Sequence, residues 1–476
     1  MPGALVQVFA MTTRTKAPST SKVRREWVGG KRASGKTGQR RASRRHPGRT
    51  ATACTDRRLT SCAGLLVFGE FLVTEGMDRW AATAFGRLKS SPNQVYPMGF
   101  QIRLLIDLLA AGETRPFGLE AKAGDAMFQH QCHGRLPSVD TLYDDLARFD
   151  ASALVTLEEG MAEHGLMGLA QLRSDIVHLD IDSSVLPLAG EHEGGVPGPN
   201  PKFHGRPSFH PLVARIAETN MVVGALLRPG DRAFGEEDAA TIGAWVGRVK
   251  RHLRRGALLC VRIDAAGDCA AILKAIHDAG AFYVIKARCT ADVISSFWTA
   301  AWTTTDRDAN GQPTREVADL DFRRKSWDGH GLDRVRVIAV QSRDRQGKQL
   351  AIFGDDLNTA QLFLTNRFDE DADDIAWDYD DRAGIEPLIA ELKNDWGIGD
   401  ATGYAFAANH ALFLLKLLTY NLLRRFARWH RPDLPALRRC RTAWLRRVLV
   451  DIPGQLVTSG RRHRLLVPRH AIRGPS

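Results

Sequence analysis

Five short apolar segments between Ile176 and Lys286, interleaved with two amphipathic helical patterns, constrain this 476-residue chain more than any other feature. Ile176-Val177-His178-Leu179-Asp180-Ile181-Asp182 alternates apolar and polar residues, the period of a half-buried strand. Further strands are expected at Phe209 to Ile216, Met221 to Leu227, Leu258 to Ile263 and Phe282 to Lys286, with helices over Glu237 to Arg254 and Cys269 to Ala279. Strands separated by helices pack as an α/β sheet.

The flanks differ. From Leu59 to about Leu172 apolar residues recur at three and four spacing, in Leu65 to Phe71, Ile102 to Leu109 and Val155 to Leu166, and Ser138 offers a helix start. An all-helical N-terminal domain over 59–172 is therefore expected. The α/β region is expected to run in two parts, 173–290 and 369–430, separated by a β-rich insertion at 291–368. That insertion carries Trp298, Trp302, Trp327 and strand patterns at Val335 to Val340 and Leu350 to Phe353. The apolar run Ala405 to Leu423 approaches the length of a membrane span, but Asn409, His410, Lys416 and Asn421 interrupt it. It reads as a buried core helix, and no membrane partner is expected.

Charge sits at the ends. Residues 1–58 hold 15 Lys/Arg against Glu26 and Asp56, and Arg424 to Ser476 holds 14 Arg against Asp433 and Asp451, so an acidic body lies between basic arms. Residues 1–58 lack an apolar period and read as a disordered basic tail, either a polyanion-binding arm or a leader from a start assigned too far upstream. Residues 431–476 read as a second basic tail. Seven scattered cysteines form no CxxC pair and are odd in number, which argues against zinc and a disulfide framework and fits a reducing cytoplasm.

Three carboxylates stand out. Asp182 lies on the first strand of the α/β region, and Asp264 ends the strand Leu258 to Ile263; each alone could equally be a turn or helix-cap residue. Asp180 shares the Asp182 strand face, and Asp268 follows Asp264 by four residues. The third element is YDDRAGIEPLIAELK, in which Tyr379, Arg382, Glu386 and Lys393 fall within about a 60° arc if the helix is ideal. The plainer alternative is a solvated face with an Arg382–Glu386 pair worth about 0.5 kcal/mol. Pro387 disfavours helix at Glu386, so the helix is expected to kink or begin there. Hard carboxylate ligands on rigid elements suit Mg²⁺, and two such ions suit phosphodiester chemistry.

The spacing Tyr379-x2-Arg382-x3-Glu386-x6-Lys393 resembles the last motif of the DDE transposases of bacterial insertion sequences, in the insertion-sequence-four superfamily. LDIDSSVLPLAGEHEGG, GRPSFHPLVARIAETN, LLRPGD, RIDAAGD and the run from ELKNDWG to FAANHALFLLKLLTYNLLRRF resemble its thirteen-eighty type branch. The resemblance implies a ribonuclease-H-like core in which Asp182, Asp264 and Glu386 bind two Mg²⁺ ions, with Mn²⁺ able to substitute. It implies cleavage at the element's ends and strand transfer into target DNA. Tyr379, Arg382 and Lys393 would contact the DNA, with Lys202, Arg206 and Arg228 as further candidates and Asp180 and Asp268 as supporting carboxylates. The partners implied are double-stranded DNA, both terminal inverted repeats and target, and a second copy in a homodimeric complex, on the nucleoid of a bacterial cytoplasm. Many relatives have Asp-Ser-Gly or Asp-Arg-Glu where this chain has Asp264-Ala265-Ala266. The alternatives are a transposase-derived DNA-binding protein without catalysis and a metal nuclease without strand transfer.

Overall fold

The computed structural model describes residues 55–469, apart from 56, 200–203, 333, 343–359, 433 and 461. The expected basic tail at 1–58 therefore lies almost entirely outside the described residues, as does the strand expected at Leu350 to Phe353.

The first described third is helical, with α1 (Leu65–Thr74), α2 (Met98–Ala110) and α3 (Ala151–Leu166) as its main members. Their starts follow from capping chemistry. Asp150 accepts from the Ala153 amide at 2.8 Å to open α3, and Ser138 accepts from the Thr141 amide at 3.2 Å to open a shorter helix where the sequence predicts one.

The chain then builds β1 (Ile176–Ser183), β2 (Leu212–Ile216) and β3 (Met221–Leu226), crosses α4 (Ala239–His252) to β4 (Leu258–Ile263), and crosses α5 (Ala270–Asp278) to β5 (Phe282–Lys286). The order is β3-β2-β1-β4-β5, an antiparallel meander of three strands followed by two parallel to β1. This is the ribonuclease-H-like arrangement. Val177, Leu179 and Ile181 alternate with Val261, Ile263 and Ile285 into one core, under Trp245 and Val249 of α4 and Ile272 and Ile276 of α5.

The insertion does not stand apart from this sheet. Its strands β6 (Thr303–Arg307), β7 (Pro313–Leu320), β8 (Arg336–Ser342) and β9 (Ala360–Thr365) continue it in the order β5-β9-β8-β7-β6, all antiparallel, giving nine strands among the described residues. The opposite face is covered by α6 (Ala372–Asp380), whose Ile375, Ala376 and Tyr379 pack on Cys260, Val284, Ile338 and Phe363.

After α6 come a 3₁₀ turn at Asp381–Gly384, α7 (Ile385–Trp396) and α8 (Phe406–His430). Helix α8 is the axis on which both halves pack, and it is buried almost throughout. The polar residues that interrupt its apolar run are each satisfied. Asn421 donates to the Met161 and Val222 carbonyls at 3.0 and 2.8 Å and accepts from the Val222 amide at 3.0 Å; Lys416 Nζ donates to the Gly397 carbonyl at 2.6 Å. Gly165 allows α3 to approach this junction, because a Cβ there would lie 2.2 Å from the Val222 carbonyl oxygen. No helix among the described residues is long and apolar enough to cross a membrane.

Within the basic tail expected at 431–476, the described residues form regular elements. After α9 (Thr442–Leu449), residues 454–459 and 462–466 form a hairpin, and the pair Leu59–Thr60 adds a third strand to it. Arginine content dominates the composition there, yet Leu445, Leu449, Val450 and Leu456 bury enough apolar surface to fold the segment.

Candidate active site

The parallel register pairs Asp180 with Arg262 and Ile181 with Ile263, so one residue further on Asp182 and Asp264 leave adjacent strands side by side. Ligand sites in open α/β sheets gather at such strand ends. Asp182 Oδ1 accepts from the Ser183 amide at 2.9 Å, and Asp264 Oδ1 accepts from the Ala266 amide at 3.0 Å, capping the 3₁₀ turn Ala265–Gly267. The helix-cap alternative for Asp264 is thus realised, and it leaves the second carboxylate oxygen uncommitted to that cap.

The third motif does not lie on one ideal helix. Tyr379 ends α6, Arg382 sits in the 3₁₀ turn, and Glu386 and Pro387 occupy the first turn of α7, where a missing amide hydrogen costs nothing. The break brings the motif against β1. Arg382 Nη2 donates to the Ile181 carbonyl at 3.2 Å and lies 3.3 Å from Asp182 Oδ1, and Lys393 Nζ donates to the Val185 carbonyl at 3.0 Å. Tyr379 packs its ring 4.7 Å from that of Phe363, and burial pushes its hydroxyl up to about 12. Glu386 is exposed.

Electrostatics tie the carboxylates together. Burial raises the Asp182 carboxyl to about 6, with the Asp264 and Glu386 charges adding to the rise and Arg382 opposing it. A half-buried carboxylate under like-charge repulsion is a place where a hard cation relieves energy. The three side chains do not converge tightly: among the described residues, the only three His, Cys, Asp or Glu side chains with ligand atoms all within 4.8 Å of one another are His178, Cys260 and Asp378. That second cluster is answered by guanidinium groups, since Arg262 and Arg367 both bond Asp378, and burial pushes the Cys260 thiol up to about 12, far from thiolate.

The other site candidates separate by burial. Arg228 is 1% exposed and paired with Asp238, with Nε on the His210 carbonyl at 2.8 Å, so it supports the scaffold and cannot meet DNA as expected from its charge. Tyr379 and Arg382 are also buried. Arg206 is exposed and borders a cleft of about 480 Å³ with Arg115, His192 and Tyr404. Lys202 lies outside the described residues. Asp180 is fully buried, its Oδ2 taken by Arg215 and its Oδ1 by Arg262 Nε at 2.7 Å. Asp268 accepts from the Arg288 amide at 2.7 Å and pairs with Arg324 at 2.8 Å, joining the insertion to the turn after Asp264. Both carboxylates therefore brace the strands and do not bond Asp182 or Asp264. Sequence reasoning missed Arg262 and Arg215; the available signal was the period-two pairing of Asp180 with Asp182 and of Arg262 with Asp264.

The family described as Transposase DDE domain group 1 matches residues 49–475. Among solved structures, the chain is similar to the piggyBac transposase in its synaptic complex with hairpin DNA, with 12% identity, 83% of this chain and 84% of that chain covered, and a TM-score of 0.41. It is also similar to the Drosophila P element transposase in its strand transfer complex, with 13% identity, 44% and 43% covered, and a TM-score of 0.20. No curated protein matches the chain.

Proposed function

Since the chain belongs to the transposase family with a group 1 DDE domain, we propose that it cuts DNA at the ends of an insertion sequence and joins the freed 3′ hydroxyl to target DNA. The observation that carries this reading is the adjacency of Asp182 and Asp264 at two parallel strand ends, with Glu386 close enough to raise Asp182.

In this reading Asp182, Asp264 and Glu386 would hold two Mg²⁺ ions, which would supply charge neutralisation at the phosphate and activation of the attacking water or hydroxyl. The chain's own residues orient the carboxylates. The Ser183 amide and Arg382 fix the Asp182 carboxylate, and the Ala266 amide fixes Asp264. Lys393 clamps the segment after β1 against α7. Arg382 acts as a positioning residue for Asp182, and the DNA backbone meets Arg206 and the edge of Lys393. The helical region at 59–172 binds the element's ends, and two copies act together on the DNA. The spacing of Tyr379, Arg382, Glu386 and Lys393 supports the insertion-sequence-four superfamily, and the stretches LDIDSSVLPLAGEHEGG, GRPSFHPLVARIAETN, LLRPGD and RIDAAGD support its thirteen-eighty branch.

The test is mobilisation of a marked copy of the gene's native flanking segment in cells, wild type against Glu386→Gln. Mobilisation by wild type alone, with DNA binding kept by both, supports the reading. Failure of both while both bind the ends replaces it with that of a DNA-binding protein.

A further inference from the structure

The register that sets Asp182 beside Asp264 extends one strand further. Ile263 pairs with Ile285 in the parallel pair β4–β5, so the next residues, Asp264 and Lys286, also leave adjacent strands at one level. Lys286 shares the face of the carboxylates. Cys260 and Val284, at the positions preceding by period two, pack on α6, and Phe363, the register partner of Lys286 on β9, belongs to the same cluster.

The lysine is half-buried, and among the described residues its ammonium makes no hydrogen bond and no ion pair within 4.0 Å. Asp380 of α6 feels its charge, but lies 3.6 Å from Arg315, whose effect on it is larger. A second cation follows: Arg288 is exposed and bonds the Ala265 carbonyl through Nε at 3.1 Å, so its guanidinium is anchored beside the residue after Asp264. A half-buried ammonium bonded to no carboxylate, at the level of the Asp264 strand end and near an anchored guanidinium, can take a further anion.

We propose that Lys286, with Arg288 at its rim, binds a backbone phosphate of the DNA strand lying across the Asp182–Asp264 strand ends. The inference rests on the transposase reading and adds to it a substrate contact outside the third motif. A lysine serves here as a point charge and needs no bidentate geometry.

The experiment is binding of the full-length protein to a fluorescently labelled DNA duplex of arbitrary sequence in metal-free buffer, titrated at several salt concentrations. Each phosphate neutralised adds about 0.9 to the slope of log affinity against log salt, so Lys286→Ala is expected to lower that slope by about 0.9. Lys286→Arg is expected to restore it, and Lys274→Ala, on the far helix α5, to leave it unchanged. A loss of packing alone would change thermal stability without this change in slope. If Lys286→Ala binds with the wild-type slope, the phosphate contact is wrong and the transposase reading stands. If the wild type itself shows no salt-dependent binding to the duplex, both fall.

Discussion

Arg262 on β4 and Asp180 on β1 are register partners and are bonded across the parallel pair, Nε to Oδ1 at 2.7 Å, with both side chains almost wholly out of solvent. Arg262 also reaches the carbonyl of Asp378 on α6, so one guanidinium ties together the three elements that carry or precede Asp182, Asp264 and Tyr379. Removing Asp180 takes from buried Arg215 the carboxylate it pairs with and leaves Arg262 with Asp378 alone. Asp180→Ala is expected to cost about 3–5 kcal/mol in urea unfolding, the usual penalty for breaking a buried pair. A loss under about 1 kcal/mol would show that water or a repacked carboxylate takes its place.

Asp182→Asn is expected to stabilise the protein and abolish DNA cleavage. Burial and the neighbouring carboxylates hold the Asp182 carboxyl at about 6 against an ordinary 3.8. The folded state therefore binds the extra proton in that window, and stability falls as pH rises from 3.8 to about 6. Above it the charge costs on the order of 1–3 kcal/mol, which the amide removes. Melting temperature at neutral pH should rise in Asp182→Asn without metal, and added Mg²⁺ should raise it in the wild type alone. A destabilised variant would contradict the like-charge account.

His178 makes stability fall with rising pH as well, but in a higher window. Burial alone would lower its imidazole, but hydrogen bonds to Asp378 and Glu218 outweigh burial and raise it to about 9 from 6.5. Its contribution is complete below 6.5 and is lost as pH climbs through about 9. Unfolding free energy measured across this window should decline in the wild type and flatten in His178→Gln. A variant with an unchanged decline would assign the effect to another group.

Asn421→Leu removes the side chain that joins α8 to α3 and β3. The Val222 amide is left buried without a partner, at a cost of about 1–3 kcal/mol. Thermal unfolding is the readout, and the DNA-binding salt slope should not move.

The α/β core was legible because its strands alternate and its helices keep their own period, and β1, β4 and β5 fall within a residue or two of the expected bounds. The continuity of the sheet through the insertion was not, since which strand borders β5 is decided by pairing partners far apart in the chain. Charge alone misplaced Arg228, because an arginine facing Asp238 and one facing solvent look alike in sequence. The ideal-helix arc of the third motif is interrupted at Asp381–Gly384, next to Pro387 where the helix was expected to kink or begin; there Arg215 fills the space a Cβ on Gly384 would need, at 2.6 Å. Arg215 is distant in sequence, so only Pro387 hinted at the break.

Helix α8 has a consequence for synthesis. Phe68 and Phe71 of α1 pack on Phe426 at 5.3 and 5.7 Å, and Leu59–Thr60 pairs with a strand at 454–459. A chain emerging from the ribosome exposes the apolar side of its first helices until residues more than three hundred positions later arrive to cover it. The first helices thus gain their packing partners only late in synthesis, and a chain cut short before Phe426 lacks the surface on which Phe68 and Phe71 are buried.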